Sequence, residues 1–201
     1  FIKSILVKTQ CVIKYKPRGF CLITGAPRSG TTALCQWLNE HPQIGAFTES
    51  RILVATNDFL ESAHRFHNLS GRKESFIPVV REMIYEYYRN QCVFFLRKII
   101  LDKEPIEPLA FPNKQYNKFL NNTRVIMPEA KFIIMLRDPL STVWSMLQRE
   151  WGFSLAERKS ITSFSLTEHI DTWCAASDIA LSYKSDHNTY ICSFSKLINQ
   201  P

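Results

Sequence analysis

No stretch of this 201-residue sequence is long and apolar enough to span a membrane, and no repeat or low-complexity segment interrupts it. Its six cysteines, Cys11, Cys21, Cys35, Cys92, Cys174 and Cys192, contain no CxxC pair. Their spacing indicates neither a zinc site nor a disulfide scaffold. Cys21, Cys35 and Cys192 sit in apolar runs and read as free buried thiols. Histidines number five, and His64 and His67, three apart on an expected helix, lack a third ligand for a metal ion. Basic residues outnumber acidic ones by 25 to 18, a net charge of +7, yet they form no dense Lys/Arg run and no nucleic-acid motif. That pattern speaks against DNA or RNA as a partner. It suits a compact polyanion, which needs only a few cations.

What is present is the pattern of one soluble α/β domain. The hydrophobic fraction is 45% and the charged fraction 21%, and the length suits a single domain, residues 1–201, with a sizeable core. The chain opens on Phe1 and stops at Pro201 without an obvious ending, so a piece of a longer protein is expected. The sequons Asn68-Leu69-Ser70 and Asn121-Asn122-Thr123 keep a secretory location open. Short apolar runs at Phe20–Thr24, Gln43–Phe47, Lys98–Asp102, Lys131–Leu136 and Thr189–Cys192 read as strands. Helices are expected over Thr31–Asn39, Arg51–Phe66, Ile77–Leu96, Asn113–Ile126 and Thr167–Tyr183. Another is expected from Pro139, with Leu140, Val143, Trp144 and Leu147 as its apolar stripe and Trp173 of the later helix in the core. This alternation predicts a three-layer α/β fold, a central parallel sheet flanked by helices, with ligands at the carboxyl ends of the strands.

The segment Gly25-Ala26-Pro27-Arg28-Ser29-Gly30-Thr31-Thr32 follows the first strand and opens the first helix. Glycines at both ends let the backbone curl its N–H groups inward, and the helix start adds unpaired donors and partial positive charge. The glycine spacing is that of a Walker A loop, but Thr31 stands where the lysine should be, which counts against an NTPase or kinase. The cation comes earlier, as Arg28, whose planar fork suits a sulfate or phosphate group. A second motif follows the strongest strand: Arg137-Asp138-Pro139, with Ser141 and Ser145 on one helix face.

The string Pro27-Arg28-Ser29-Gly30-Thr31-Thr32 resembles the 5′-phosphosulfate loop of sulfotransferases that use 3′-phosphoadenosine 5′-phosphosulfate (PAPS), in particular the bacterial and protein-tyrosine type. The resemblance covers about Phe20 to Pro201 and implies a P-loop NTPase-like sulfotransferase fold. It also implies PAPS as donor and 3′,5′-diphosphoadenosine as product, with no metal required. Pro27, Arg28, Ser29, Gly30, Thr31 and Thr32 would hold the 5′-phosphosulfate, with Arg28 neutralising the bridging oxygen. Arg137 and Ser145 resemble the family's 3′-phosphate site. Glu49 is similar in place to the base of the protein-tyrosine branch, against its plainer reading as a carboxylate at a helix start. Lys103 lies in Asp102-Lys103-Glu104-Pro105, which resembles a D-K-x-P segment whose lysine approaches the sulfuryl group.

Ser193-Phe194-Ser195-Lys196-Leu197 departs from the family pattern, which carries acidic residues there and continues into a segment that closes over the nucleotide. A degenerate nucleotide-binding domain without catalysis therefore stays an alternative, as does a phosphate-loop kinase or NTPase. The acceptor is left open among carbohydrate, protein tyrosine, lipid, polyketide and small alcohol. The cysteine pattern leans towards a cytoplasmic, bacterial-type enzyme, with the Golgi lumen as the other location.

Overall fold

The computed structural model describes residues 17–66, 73–91, 97–106, 115–148 and 165–199. Five parallel strands form one sheet in the order β2-β3-β1-β4-β5. They are β1 (Gly19–Gly25), β2 (Ile44–Thr48), β3 (Ile99–Lys103), β4 (Lys131–Leu136) and β5 (Thr189–Ser193). The helices are α1 (Thr31–Asn39), α2 (Ile52–Phe66), α3 (Lys73–Gln91), α4 (Tyr116–Ile126), α5 (Pro139–Leu147), α6 (Leu166–Ser182) and α7 (Phe194–Asn199). The expected three-layer α/β architecture is the one observed. β1 is central, pairing Leu22 with Asp102 of β3 on one side and with Phe132 of β4 on the other.

Side chains alternate across a strand, and the two cores follow that rule. Phe20, Leu22, Ile100, Phe132 and Ile134 pack with Ile84, Tyr88, Phe119 and Leu120 from α3 and α4. Ile23, Leu101 and Met135 face the other way, towards Leu34 and Cys35 of α1 and Cys192 of β5. Cys35 and Cys192 are buried and Cys21 is half-buried, all as free thiols. Burial pushes each of these thiols up, so they behave as small apolar side chains. Cys174 is exposed, and Cys11 and Cys92 lie outside the described residues.

Most expected boundaries hold within a few residues; α3 begins earlier, at Lys73, with Pro78 inside it. The α5 stripe is different. Val143 is buried, but Leu140 is 83% exposed and Trp144 62%. The buried face of α5 is Thr142, Val143 and Met146. Helical spacing shows that one face is apolar, not that the sheet covers it. Leu140, Trp144 and Leu147 instead line an open groove of about 760 Å³ with Leu166 and Ile170 of α6. Trp173 is half-buried at its floor, its Nε1 donating to the Arg137 carbonyl at 2.9 Å. Asn121 lies on α4, while Asn68, His67 and the His64 side chain lie outside the described residues.

Candidate functional site

The β1–α1 loop is shaped by its glycines. Gly25 has φ 146°, and a Cβ there would stand 2.5 Å from the Met135 carbonyl of the neighbouring strand. Gly30 has φ 98°, and a Cβ there would strike the Phe194 ring at 2.4 Å. Both positions therefore demand glycine. Between them Ser29 N donates to the Ala26 carbonyl, 3.1 Å, and Arg28 takes a left-handed φ of 67°. Gly30 is the N-cap of α1, and among the described residues no side chain caps that helix start. Its first-turn N–H groups are thus left for an anion. The Ser29 hydroxyl is buried and has no hydrogen-bond partner among the described residues. Buried hydroxyls are nearly always bonded, so this orphan marks a place prepared for an outside acceptor.

β3 carries the next elements. Its continuation follows β1 into the loop: Glu104 N donates to the Ile23 carbonyl at 3.0 Å and Ile106 N to the Gly25 carbonyl at 2.9 Å. Lys103 is only 3% exposed. Its Nζ reaches Thr32 Oγ1 at 3.3 Å and pairs with Glu49 Oε1. Glu49 extends the β2–β3 ladder, its N donating to the Lys103 carbonyl at 2.8 Å. Its second oxygen meets Arg51 Nη2 at 3.1 Å.

β4 supplies Arg137 and α5 supplies Ser145. The Ser145 hydroxyl accepts from Arg28 Nε at 2.9 Å rather than meeting Arg137 directly. Arg137 Nη1 donates to the Arg28 carbonyl at 3.2 Å, and its guanidinium lies 4.8 Å over the Phe194 ring. Each motif thus touches the other, at the tips of the adjacent strands β1 and β4. Arg28, Gly30, Thr31, Thr32, Glu49, Lys103, Arg137 and Phe194 line one pocket of about 290 Å³, with Pro27 at its edge. Ser29 is buried and does not line it, and Ser145 is reached through Arg28.

Several participants escaped the sequence reading. Half-exposed Arg51 and buried Asp102 and Glu104 stand beside Glu49, joined across about fifty residues by the parallel β2–β3 register. Burial first, then the Asp102 charge, push the Glu104 carboxyl up to about 8 against the pull of Arg51. Burial likewise raises Asp102 and Tyr88, which bond each other at 2.6 Å. Phe194 was noted only as part of an atypical segment. Two cations and uncapped donors converging on the pocket, with a carboxylate beside a third cation, suit transfer of an anionic group to an acceptor whose proton must leave.

Comparison with known proteins agrees. The model of the Sulfotransferase family matches residues 21–192. The nodulation protein NoeE of Sinorhizobium fredii is 28% identical over 173 residues, 80% of this chain and 39% of that protein. Protein-tyrosine sulfotransferase 1 of Danio rerio is 29% identical over 137 residues, 67% of this chain and 38% of that protein. The Drosophila melanogaster protein-tyrosine sulfotransferase is 30% identical over 139 residues, 67% of this chain and 27% of that protein. The chain therefore spans less than two fifths of the length of these relatives. A sulfotransferase domain from the curacin biosynthetic pathway has the same fold, with a TM-score of 0.59 at 16% identity, over 94% of this chain and 71% of that one.

Proposed function

The chain belongs to the sulfotransferase family, and from that premise we propose that it transfers a sulfuryl group from PAPS to a hydroxyl or amine acceptor. When bound, PAPS supplies an electrophilic sulfur joined to a good phosphate leaving group. The residues present fit it: an uncapped helix start, Thr31, Thr32 and three cations around one pocket, with the unpartnered Ser29 hydroxyl buried in the same loop. Arg28 and the loop donors hold the 5′-phosphosulfate. Arg137 and Ser145 hold the 3′-phosphate. Glu49 takes the acceptor's proton; two of its four lone-pair sites are engaged by Lys103 and Arg51, and its side chain lines the pocket. The acceptor oxygen or nitrogen forms a bond to sulfur as the bond to the bridging oxygen breaks. Those electrons leave on the phosphate, where Arg28 and Lys103 offset the developing charge.

The observation that carries this reading is the contact between the two motifs, Arg28 with Ser145 and Arg137 with Arg28. Such contact supports a single nucleotide spanning both cradles. A kinase or NTPase reading has no such support, because Thr31 replaces the loop lysine. The relatives' names include protein tyrosine as an acceptor; here the acceptor class is a hydroxyl or amine until tested. The test is release of 3′,5′-diphosphoadenosine from PAPS with a panel of phenolic, sugar and lipid alcohols. Glu49→Gln should slow the active case by ~10²–10⁴-fold. A fully active Glu49→Gln removes that residue from the mechanism, and no release with any acceptor favours the degenerate alternative.

A further inference from the structure

The turn Glu49–Ser50–Arg51 is strained. Glu49 has φ 57° and Arg51 φ 61°, left-handed values that persist in such residues only where the surroundings impose them. Two carboxylates from the end of β3 do so, on either side of Lys103 in the chain. Asp102 is fully buried; it accepts from Ser50 N at 3.4 Å and from the Ser50 and Tyr88 hydroxyls. Glu104 is fully buried as well. Its Oε1 accepts from Arg51 N at 2.7 Å and its Oε2 from Arg51 Nη1 at 3.0 Å. The other arm of that guanidinium reaches Glu49 Oε2 at 3.1 Å. Alternation along the strand sends Lys103 the opposite way, to the remaining oxygen of Glu49.

Glu104 does not line the pocket, so anion binding gives no reason for burying its carboxylate. A buried carboxyl is tolerated where it is paired and hydrogen-bonded, and both oxygens of Glu104 are spent on Arg51. Resting on the reading of Glu49 as proton acceptor, we propose that Glu104 is a positioning residue. Through Arg51 it locks the left-handed turn and aims the Glu49 carboxylate between Lys103 and the incoming acceptor.

Glu104→Gln keeps the volume but replaces one acceptor oxygen by a donor facing Arg51. The expected result is a fall in kcat on the order of 10²-fold, as for a misplaced reacting group, with KM for PAPS and affinity for 3′,5′-diphosphoadenosine unchanged. In a Glu49→Gln background the same change should cost almost nothing further, because both act through one carboxylate. Additive losses, or a loss of nucleotide affinity equal to the loss of rate, would overturn the proposal.

A second reading needs no catalysis. Lys103 is shielded by burial and by its pairing with Glu49, so a water-soluble amine-acylating reagent followed by mass spectrometry should modify it slowly in the parent. It should be modified faster in Glu104→Gln, and as fast in Glu49→Gln. Unchanged labelling in Glu104→Gln contradicts the positioning role even if no sulfate is ever transferred. A parent that binds no nucleotide, with Lys103 labelling as expected, contradicts only the proposed reaction. Should Glu104→Gln not fold, Arg51→Gln cuts the same link from a side chain that is 41% exposed and should give the same readings.

Discussion

Two neighbouring strand tips open their helices in different ways. Where β1 gives way to α1, the N-cap is Gly30 and among the described residues no side chain satisfies the helix start. Where β4 gives way to α5, Pro139 sits in the first turn and Asp138 accepts from Ser141 N at 2.8 Å. Both helices turn the positive end of their dipole towards these loops. One end is already occupied by the chain's own carboxylate; the other is open. An anion at the first tip therefore meets backbone donors. An anion at the second must be held by side chains, Arg137 above all. The same strand–loop–helix unit yields two kinds of cradle according to its cap.

The contrast can be broken most severely at Gly30. Gly30→Ala would have to place a Cβ against the Phe194 ring at a positive φ, so nucleotide binding should vanish by calorimetry. Retained binding would mean that the open start of α1 is not the anion site. Next in size is Arg137→Ala. A charged hydrogen bond contributes ~1.5–3 kcal/mol, so affinity for 3′,5′-diphosphoadenosine should fall by about 10- to 100-fold. Affinity for an adenosine 5′-phosphate lacking the 3′-phosphate should stay as it was. The smallest effect belongs to Asp138→Ala, which removes a cap and a loose 4.0 Å pairing with Arg137 but no side chain that lines the pocket. It should lower Tm by a few degrees and leave nucleotide affinity intact. The Ser141 N–H, first among its causes, lowers the Asp138 carboxyl below its usual range. The cap's contribution is thus present at neutral pH and lost as pH falls through the lowered value. The Tm gap between parent and variant should close in acid.

Local patterns carried the fold. α1 and β4 were read to the residue, because a glycine-ended strand, a Pro after His41 and an unbroken apolar run are signals contained within a few positions. The α5 stripe was misassigned for the complementary reason. Its periodicity is real, but which face is covered depends on how α5 leaves β4, and the buried residues are Thr142, Val143 and Met146. In the site, motif strings located Arg28, Arg137 and Lys103. The clamp on Glu49 stayed hidden, since Arg51 and Glu104 are 53 positions apart and meet only through the pairing of Thr48 with Lys103. The size of a depression was no guide either. The apolar groove beside α5 is larger than the polar pocket, yet among the described residues it gathers no charged side chain.

The central claim is that two cradles hold one adenosine bisphosphate, and a thermal-shift comparison with chelator present tests it directly. At a hundredfold excess over Kd, 3′,5′-diphosphoadenosine should raise Tm by roughly 5–10 °C, while ADP and ATP at the same concentration raise it far less. Equal stabilisation by ATP, or stabilisation that appears only with magnesium, would contradict it.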